Sequence, residues 1–391
     1  MSLFLDLDNL YLSEELREVR RTIRRFIDDE VKPHAAQWED DGRVPREVYR
    51  RMGELGILGI PYPEAFGGSD LGLFGTLVLG EELGRSTYGG VAGAIALQTD
   101  MSAGHLARHG SPALQERFLR SIVAGRTVCA MAITEPDAGS DVASLKTSAR
   151  ADGGDFVLNG SKMFITSGVH ADVYFVAART DAQARGAHGV SLFVVEKGTP
   201  GFSVRGPLKK TGWLSSDTAQ LFFDEVRVPA GHLIGQLNKG FQHVMEGFEH
   251  ERFSIGGICV GHCEAAIELT LQWLANRNAF GAKLWDLHGI RLEMARLLTE
   301  LSAAKALLYQ SVDVAARGGD ARTLAAMVKA HLPPLTNRIL YQCVQYHGGM
   351  GFMRETAVER LSRDSRVLAI GGGATEVMLI EVAKHIQRQM R

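Results

Sequence analysis

The stretch MAITEPDAGSDVAS, Met131 to Ser144, follows neither the 3.6-residue period of a helix nor the two-residue period of a strand. Thr134, Glu135, Pro136, Asp137, Gly139, Ser140 and Asp141 crowd into it. Pro136 fixes one φ and lacks an N–H, and Gly139 lets the backbone approach a neighbour closely. Such a loop offers N–H and O–H groups to a polar ligand. From composition alone it reads equally as a surface connector.

The patterns on its two sides differ. Upstream the period is helical. Glu14 to Glu30 carries Leu16, Val19, Ile23, Phe26 and Ile27 on one stripe, with Pro33 beyond it. Arg46 to Leu55 is closed by Gly56, and Leu73–Arg85, Gly89–His109 and Pro112–Val123 are further helical stretches. Downstream the period becomes two. FVLN-GS-KMFIT, from Phe156, is a β-branched and aromatic run around Asn159-Gly160, which predicts a hairpin turn there. Segments 173–179, 191–196, 202–204 and 220–229 follow as short strands without helices between them, which predicts a small antiparallel sheet. From Gly240 the helical period returns over Phe241–Arg277, Asp286–Arg317, Ala321–Tyr346 and Thr375–Arg391.

Composition narrows the function. The chain has 391 residues, 45% of them hydrophobic, and Lys+Arg 43 nearly balances Asp+Glu 45. That balance gives no electrostatic case for a nucleic-acid partner. No run approaches eighteen apolar residues, so no membrane span is expected. The start, with Asp6 and Asp8, does not read as a secretory signal. Cys129, Cys259, Cys263 and Cys343 form no C-x-x-C pair and read as core thiols of a reducing compartment, with no metal expected. No G-x-G-x-x-G opens a βαβ unit, which disfavours a Rossmann nicotinamide site. Gly160-Ser161-Lys162 lacks the upstream glycine of a phosphate loop.

Ile133-Thr134-Glu135-Pro136-x-x-Gly139-Ser140-Asp141 resembles one of two signature stretches of the acyl-CoA dehydrogenase family. Gln345-Tyr346-His347-Gly348-Gly349-Met350-Gly351-Phe352, followed by Glu355, Arg360 and Asp364, resembles the second. Pro63-Glu64-x-x-Gly67-Gly68 is similar to a family loop, and family-like pieces run from about Glu14 to the C-terminus. The resemblance implies an α+β fold of three domains: an N-terminal helical domain over 1–127, a small antiparallel β domain over 128–236 and a C-terminal four-helix bundle over 237–391. It implies FAD as cofactor and an acyl-CoA thioester as substrate, oxidised to the trans-2-enoyl thioester. Electrons would pass to an external acceptor such as electron-transfer flavoprotein. It further implies a cytoplasmic homotetramer, a dimer of dimers, in fatty acid metabolism. Two alternatives stand beside this: a catalytically silent flavoprotein of the same fold, and a dehydrogenase whose acyl group rides on a carrier protein. The extra C-terminal domain of the larger acyl-CoA oxidases is not matched, which weighs against oxygen as acceptor. Nothing in the sequence fixes the acyl chain length.

By the same resemblance, Met131, Ala132, Ile133, Thr134 and Ser140, with Phe164, Ile165 and Thr166, would meet the flavin. Thr134 and Thr166 would offer hydroxyls and Phe164 would cover a ring face. Arg277 and Phe280, in an Arg-x-x-Phe-Gly pattern, and Gln345, Gly348 and Gly349 match contacts made to the FAD of a neighbouring subunit. Ala374, Thr375 and Glu376 match residues that close over the cofactor. His288 and Ala374 depart from the family's usual Gln and Thr, and each removes an expected polar contact. Ser140, Phe248, Glu249 and Arg252 match the substrate side, with Arg252 near the CoA moiety.

The base needs separate argument. Much of the family carries a glutamate in a Tyr-Glu-Gly-Thr stretch, where this chain has Ile370-Gly371-Gly372-Gly373-Ala374-Thr375. Glycine cannot take a proton. The long-chain and isovaleryl branches place their glutamate on an earlier helix just before an arginine, and Glu251-Arg252 matches that arrangement. Ile255, Ile258, Cys259 and His262 follow Glu251 on one helical face, so its carboxylate is expected to be desolvated and its pKa raised. Gly372 would keep a backbone role, its N–H polarising the thioester carbonyl. Glu249, two residues before Glu251, is a competing carboxylate.

Overall fold

In the computed structural model, which describes residues 3–184 and 186–390, helices, a sheet and a second set of helices follow one another along the chain. The Glu14–Phe26 helix is capped by Ser13, whose side chain accepts the Leu16 N–H. Glu14 and Glu15 in its first turn and Arg24 and Arg25 in its last complement the helix dipole. Leu16, Ile23 and Phe26 face the core. Arg46–Glu54, Gly72–Arg85, Gly89–Ala96 and Ala103–His109 continue the helical layer. Between the last two, Leu97–Ser102 forms a π-turn that buries Thr99 and Asp100. π-turns often mark functional sites.

Eight strands form the sheet: β1 (Cys129–Ala132), β2 (Ser148–Asp152), β3 (Asp155–Thr166), β4 (Val173–Arg179), β5 (Val190–Glu196), β6 (Phe202–Arg205), β7 (Thr218–Pro229) and β8 (Leu233–Ile234). They run β6-β7-β3-β2-β4-β5-β8, with β1 on β4. Alternation places Val173, Phe175 and Ala177 in the core beneath the helices, and Tyr174, Val176 and Ala178 in a second core on the opposite face. Two expectations are corrected here. The sheet is mixed, because β1 and β2 both pair with β4 in parallel. Asn159-Gly160 is not a hairpin turn, since β3 runs straight through it and is bulged there against β7. Asn159 spends its amide across the bulge, donating to Glu225 Oε1 at 2.6 Å and accepting the Glu225 N–H at 2.9 Å. The true hairpin is β2–β3, turned by Gly153-Gly154, both at positive φ.

The C-terminal part holds four long helices, Gly240–Asn276, His288–Ala316, Arg322–His347 and Thr375–Gln389, with Ala357–Ser365 between the last two. A seam of glycines seats the first of these against Gly72–Arg85. A methyl group on Gly84 would lie 2.5 Å from the Ile258 carbonyl, and one on Gly80 2.8 Å from that of Ser254. That close crossing fixes the depth at which Glu251 enters the core. From Phe253 to Ile267 this helix is buried on all sides, so it has no single apolar stripe. No described helix is long and apolar enough to cross a membrane.

Candidate active site

Glu251 lies in the Gly240–Asn276 helix and is 5% exposed. Burial pushes its carboxyl up to about 7, against the opposing pull of Arg252 and Lys329, with Asp100 adding to the rise. Among the described residues nothing hydrogen-bonds to that carboxylate. The Gly371-Gly372-Gly373 turn passes directly across it, and a methyl group on Gly372 would sit 2.5 Å from Glu251 Oε1. Gly372 has φ +65°, a conformation that favours glycine. The carboxylate therefore fills the space that a side chain at position 372 would occupy. The Gly372 N–H donates no hydrogen bond among the described residues and is free to serve a ligand.

Arg252 is partly buried, and its Nε has no partner. It makes no ion pair with Glu249, so the simple helix-surface role is not realised. Burial lowers its affinity for its proton, against Glu251, Glu381 and Glu249. Glu249 is itself raised by burial. Phe248 packs against the core beneath the sheet.

At the sheet, Met131 and Ala132 lie in β1, and Ile133, Thr134 and Glu135 leave it. The Met163 N–H donates to the Thr134 carbonyl at 2.8 Å, which sets Thr134 beside the end of β3. Lys162, wholly buried, donates to the Ile133 carbonyl at 3.0 Å and to Glu135 Oε1 at 2.8 Å. Glu135 in turn accepts the Lys146 and Thr147 N–H groups. Phe164 stands out from this fastening, at φ +61° and 64% exposed, next to buried Ile165 and half-buried Thr166. Ser140 is exposed on the loop. An exposed aromatic ring thus stands on a strand held from behind, with Thr166 two residues on and the Thr134 backbone paired to the residue before it.

Ala374 is the N-cap of Thr375–Gln389 and supplies no side-chain cap, which is the structural cost of its departure from threonine. Thr375 is half-buried and Glu376 exposed. The remaining predicted residues gather elsewhere. Arg277 is 26 residues beyond Glu251 along one helix, roughly 39 Å at 1.5 Å per residue. It lies over Trp273, and beside it Phe280 is 95% exposed. His288, Gln345, Gly348 and Gly349 are likewise exposed. Within one chain, Arg277 and Phe280 cannot share a cofactor ring with Glu251.

Three buried groups were missed by sequence reasoning. Asp100 accepts hydrogen bonds from Thr76, Thr99 and Ser254, and burial pushes it up to about 6. Lys162 and Lys329 are the others; Lys329 sits inside an apolar run, which was the available signal, whereas Lys162 follows the polar Asn159-Gly160-Ser161. His109, His243 and Glu246 bring three possible metal donors within 4.8 Å of one another. The two rings stack at 3.9 Å and 28°, however, so their in-plane lone pairs do not converge at the roughly 2 Å that a metal–nitrogen bond needs.

Residues 13–126, 130–226 and 238–387 match the N-terminal, middle and C-terminal domains of acyl-CoA dehydrogenase. The chain is 37% identical over 368 residues to the mitochondrial long-chain specific acyl-CoA dehydrogenase of Sus scrofa, covering 94% of this chain and 85% of that one. It is 33% identical over 376 residues to the mitochondrial isovaleryl-CoA dehydrogenase of Pongo abelii, covering 95% and 89%. The crystal structure of an acyl-CoA dehydrogenase from Geobacillus kaustophilus superposes with a TM-score of 0.92 at 34% identity, covering 96% of this chain and 99% of that chain. The chain belongs to the acyl-CoA dehydrogenase family.

Proposed function

We propose that Glu251 is the base of this enzyme and that Gly372 polarises the substrate carbonyl. The chain is an FAD-dependent acyl-CoA dehydrogenase, an oxidoreductase acting on CH–CH donors. FAD, when bound, supplies the hydride acceptor for the β-carbon. The rest falls to the chain's own groups. Glu251 takes the proton from the carbon next to the thioester carbonyl. The unspent Gly372 N–H donates to the carbonyl oxygen, where negative charge develops as that proton leaves. Thr134, Thr166, Ser140 and Phe164 hold the cofactor, closed over by Ala374, Thr375 and Glu376. Arg252, Phe248 and Glu249 lie toward the substrate.

The observation that carries this is the buried carboxylate of Glu251 lying against Gly372 and raised toward about 7, where a base for a weakly acidic proton works best. A silent flavoprotein has no need of such a group. Glu251→Gln should retain FAD and bind acyl-CoA, yet reduce its flavin with substrate about 10²–10⁴-fold more slowly. Near-normal reduction in that variant excludes Glu251.

The finer assignments belong to the same proposal. The domain limits are 1–127, 128–236 and 237–391. The electron acceptor is an electron-transfer flavoprotein. The protein works in fatty acid metabolism in the cytoplasm, in keeping with four buried, unpaired thiols. Arg277, Phe280, His288, Gln345, Gly348 and Gly349, far from Glu251 in their own chain, serve the FAD of a neighbour in a homotetramer.

A further inference from the structure

Lys329 lies in the Arg322–His347 helix, 1% exposed, in line with buried Ala325, Leu332, Thr336 and Leu340. A lysine in that position needs acceptors, because an unpaired buried ammonium is costly. It finds two backbone carbonyls. Its Nζ donates to Leu368 O at 2.7 Å and to Gly373 O at 2.8 Å. Those carbonyls bracket the turn that carries Gly372, and Gly372 lies against the Glu251 carboxylate. One ammonium thus clamps both ends of the glycine turn, and its charge acts on the Glu251 carboxylate without pairing with it.

We propose that Lys329 is a positioning residue for the dehydrogenation: its ammonium fixes the glycine turn over Glu251 and favours the ionised carboxylate that accepts the proton. The inference rests on the assignment of Glu251 as base. Three charged groups act on Glu251. Arg252 comes from its own helix, Lys329 from the Arg322–His347 helix, and Asp100 from the π-turn. Only Lys329 also holds the turn. Arg252 and Lys329 both favour the carboxylate, while Asp100 and burial oppose it. Lys329 is itself pushed down to about 8 by burial, with Glu251 and Cys259 drawing it back up and Arg252 opposing. It is therefore mostly charged at the midpoint of the Glu251 titration, near 7. As Glu251 becomes neutral on accepting the substrate proton, the two backbone hydrogen bonds keep Lys329 in place.

The two halves have separate signatures. Lys329→Met removes charge and clamp. Lys329→Arg keeps the charge but carries its donors on a longer, planar fork, which displaces the two carbonyl contacts. The rate of flavin reduction by a saturating acyl-CoA is measured from pH 5 to 10, with FAD content as the check on folding. In Lys329→Met the acid limb should move up by about one pH unit, since an opposite charge at close range shifts a carboxyl by that much or more. That is about a tenfold extra loss at pH 6 which disappears by pH 9. The plateau should also fall, because the turn is no longer held. In Lys329→Arg the limb should stay and only the plateau fall. A second readout uses no turnover. The infrared band of the protonated Glu251 carboxyl, identified by its loss in Glu251→Gln, should titrate about one unit higher in Lys329→Met. If Lys329→Met lowers the plateau with the limb and band unmoved, Lys329 is only a structural lysine and the inference fails. If Lys329→Met cannot hold FAD, the Lys329→Arg limb and band decide, and a shift in either overturns the charge role. If Glu251→Gln is itself reduced normally, the base assignment falls first, and the two failures are distinguished.

Discussion

At the scale of single residues, Glu251 is a stability cost as well as a catalytic group. Its carboxyl binds a proton more tightly folded than unfolded, because burial disfavours the charge. The penalty is absent below the unfolded value near 4.3, grows as pH rises, and is fully present above about 7. Glu251→Gln should therefore unfold at higher urea than the wild type at pH 8, by about 1–3 kcal/mol, and the gain should vanish near pH 4. Urea titrations at the two pH values check this, and an equal difference at both would show that burial does not raise the group. Arg252 makes a different prediction. Its Nε is buried without a partner and it does not pair with Glu249, so a ligand is its natural complement. Its planar fork suits phosphate or an adenine face. Arg252→Ala should raise the KM for acyl-CoA by about tenfold, the loss of one such contact, with kcat changed much less. Steady-state kinetics with an acyl-CoA series tests this, and an unchanged KM returns Arg252 to a purely structural role. Of these residues, Glu251 and Arg252 were singled out by the family resemblance, with the apolar face that follows Glu251 as the physical support in the sequence. Lys329 was not, because its partners are carbonyls about forty residues away, and sequence carries no mark of a carbonyl that lacks a donor.

At the scale of elements, the order of helices, sheet and helices was legible, while strands β1 and β2, the Ala357–Ser365 helix and two local details of the sheet were not. The change of period at Phe156 and its return at Gly240 were strong signals, since each persisted over many residues. The Asn159-Gly160 pair misled because a bulge and a hairpin turn have the same composition, and the choice lay with Glu225 on β7, 66 residues away. The parallel placement of β1 was hidden because four small or apolar residues, Cys129 to Ala132, fit a buried strand in either direction. The one buried ion pair that the fastening of the loop after β1 includes is that of Lys162 and Glu135. Removing one member of a buried pair strands the other, and the usual cost is 3–5 kcal/mol. Glu135 keeps two backbone N–H partners, so Lys162→Met should cost about 2–3 kcal/mol in urea unfolding. It should also weaken FAD retention, because Thr134 lies in that loop and Phe164 follows Lys162 by two residues on β3. Titrating FAD into the stripped variant measures the second effect, and unchanged affinity with lowered stability would confine Lys162 to the fold.

At the scale of the whole molecule, one chain leaves several large apolar side chains exposed. Phe280 is 95% exposed, Phe352 86% and Tyr341 68%, all in the C-terminal part. Sequence reading alone would have put such side chains in the core. Only the resemblance assigned Phe280 to a neighbour, because burial by a partner leaves the same composition as burial by the fold. A tetramer would weigh four times the 42.6 kDa chain, which sedimentation can measure directly. Phe280 also allows a sharper experiment. It has almost no packing within its own chain, so its removal from a monomer should change stability by less than about 0.5 kcal/mol. Phe280→Ser then has no route to a defect except through another subunit. The variant should keep its secondary structure, lose FAD on dilution at least about tenfold more readily, and sediment with a greater share of smaller species. Adding excess FAD should restore assembly, since a ligand that binds only the assembled form favours it by mass action. If Phe280→Ser holds FAD as tightly as the wild type and sediments identically, the cofactor site is complete within one chain. The residues from Arg277 to His288 would then play no part in it.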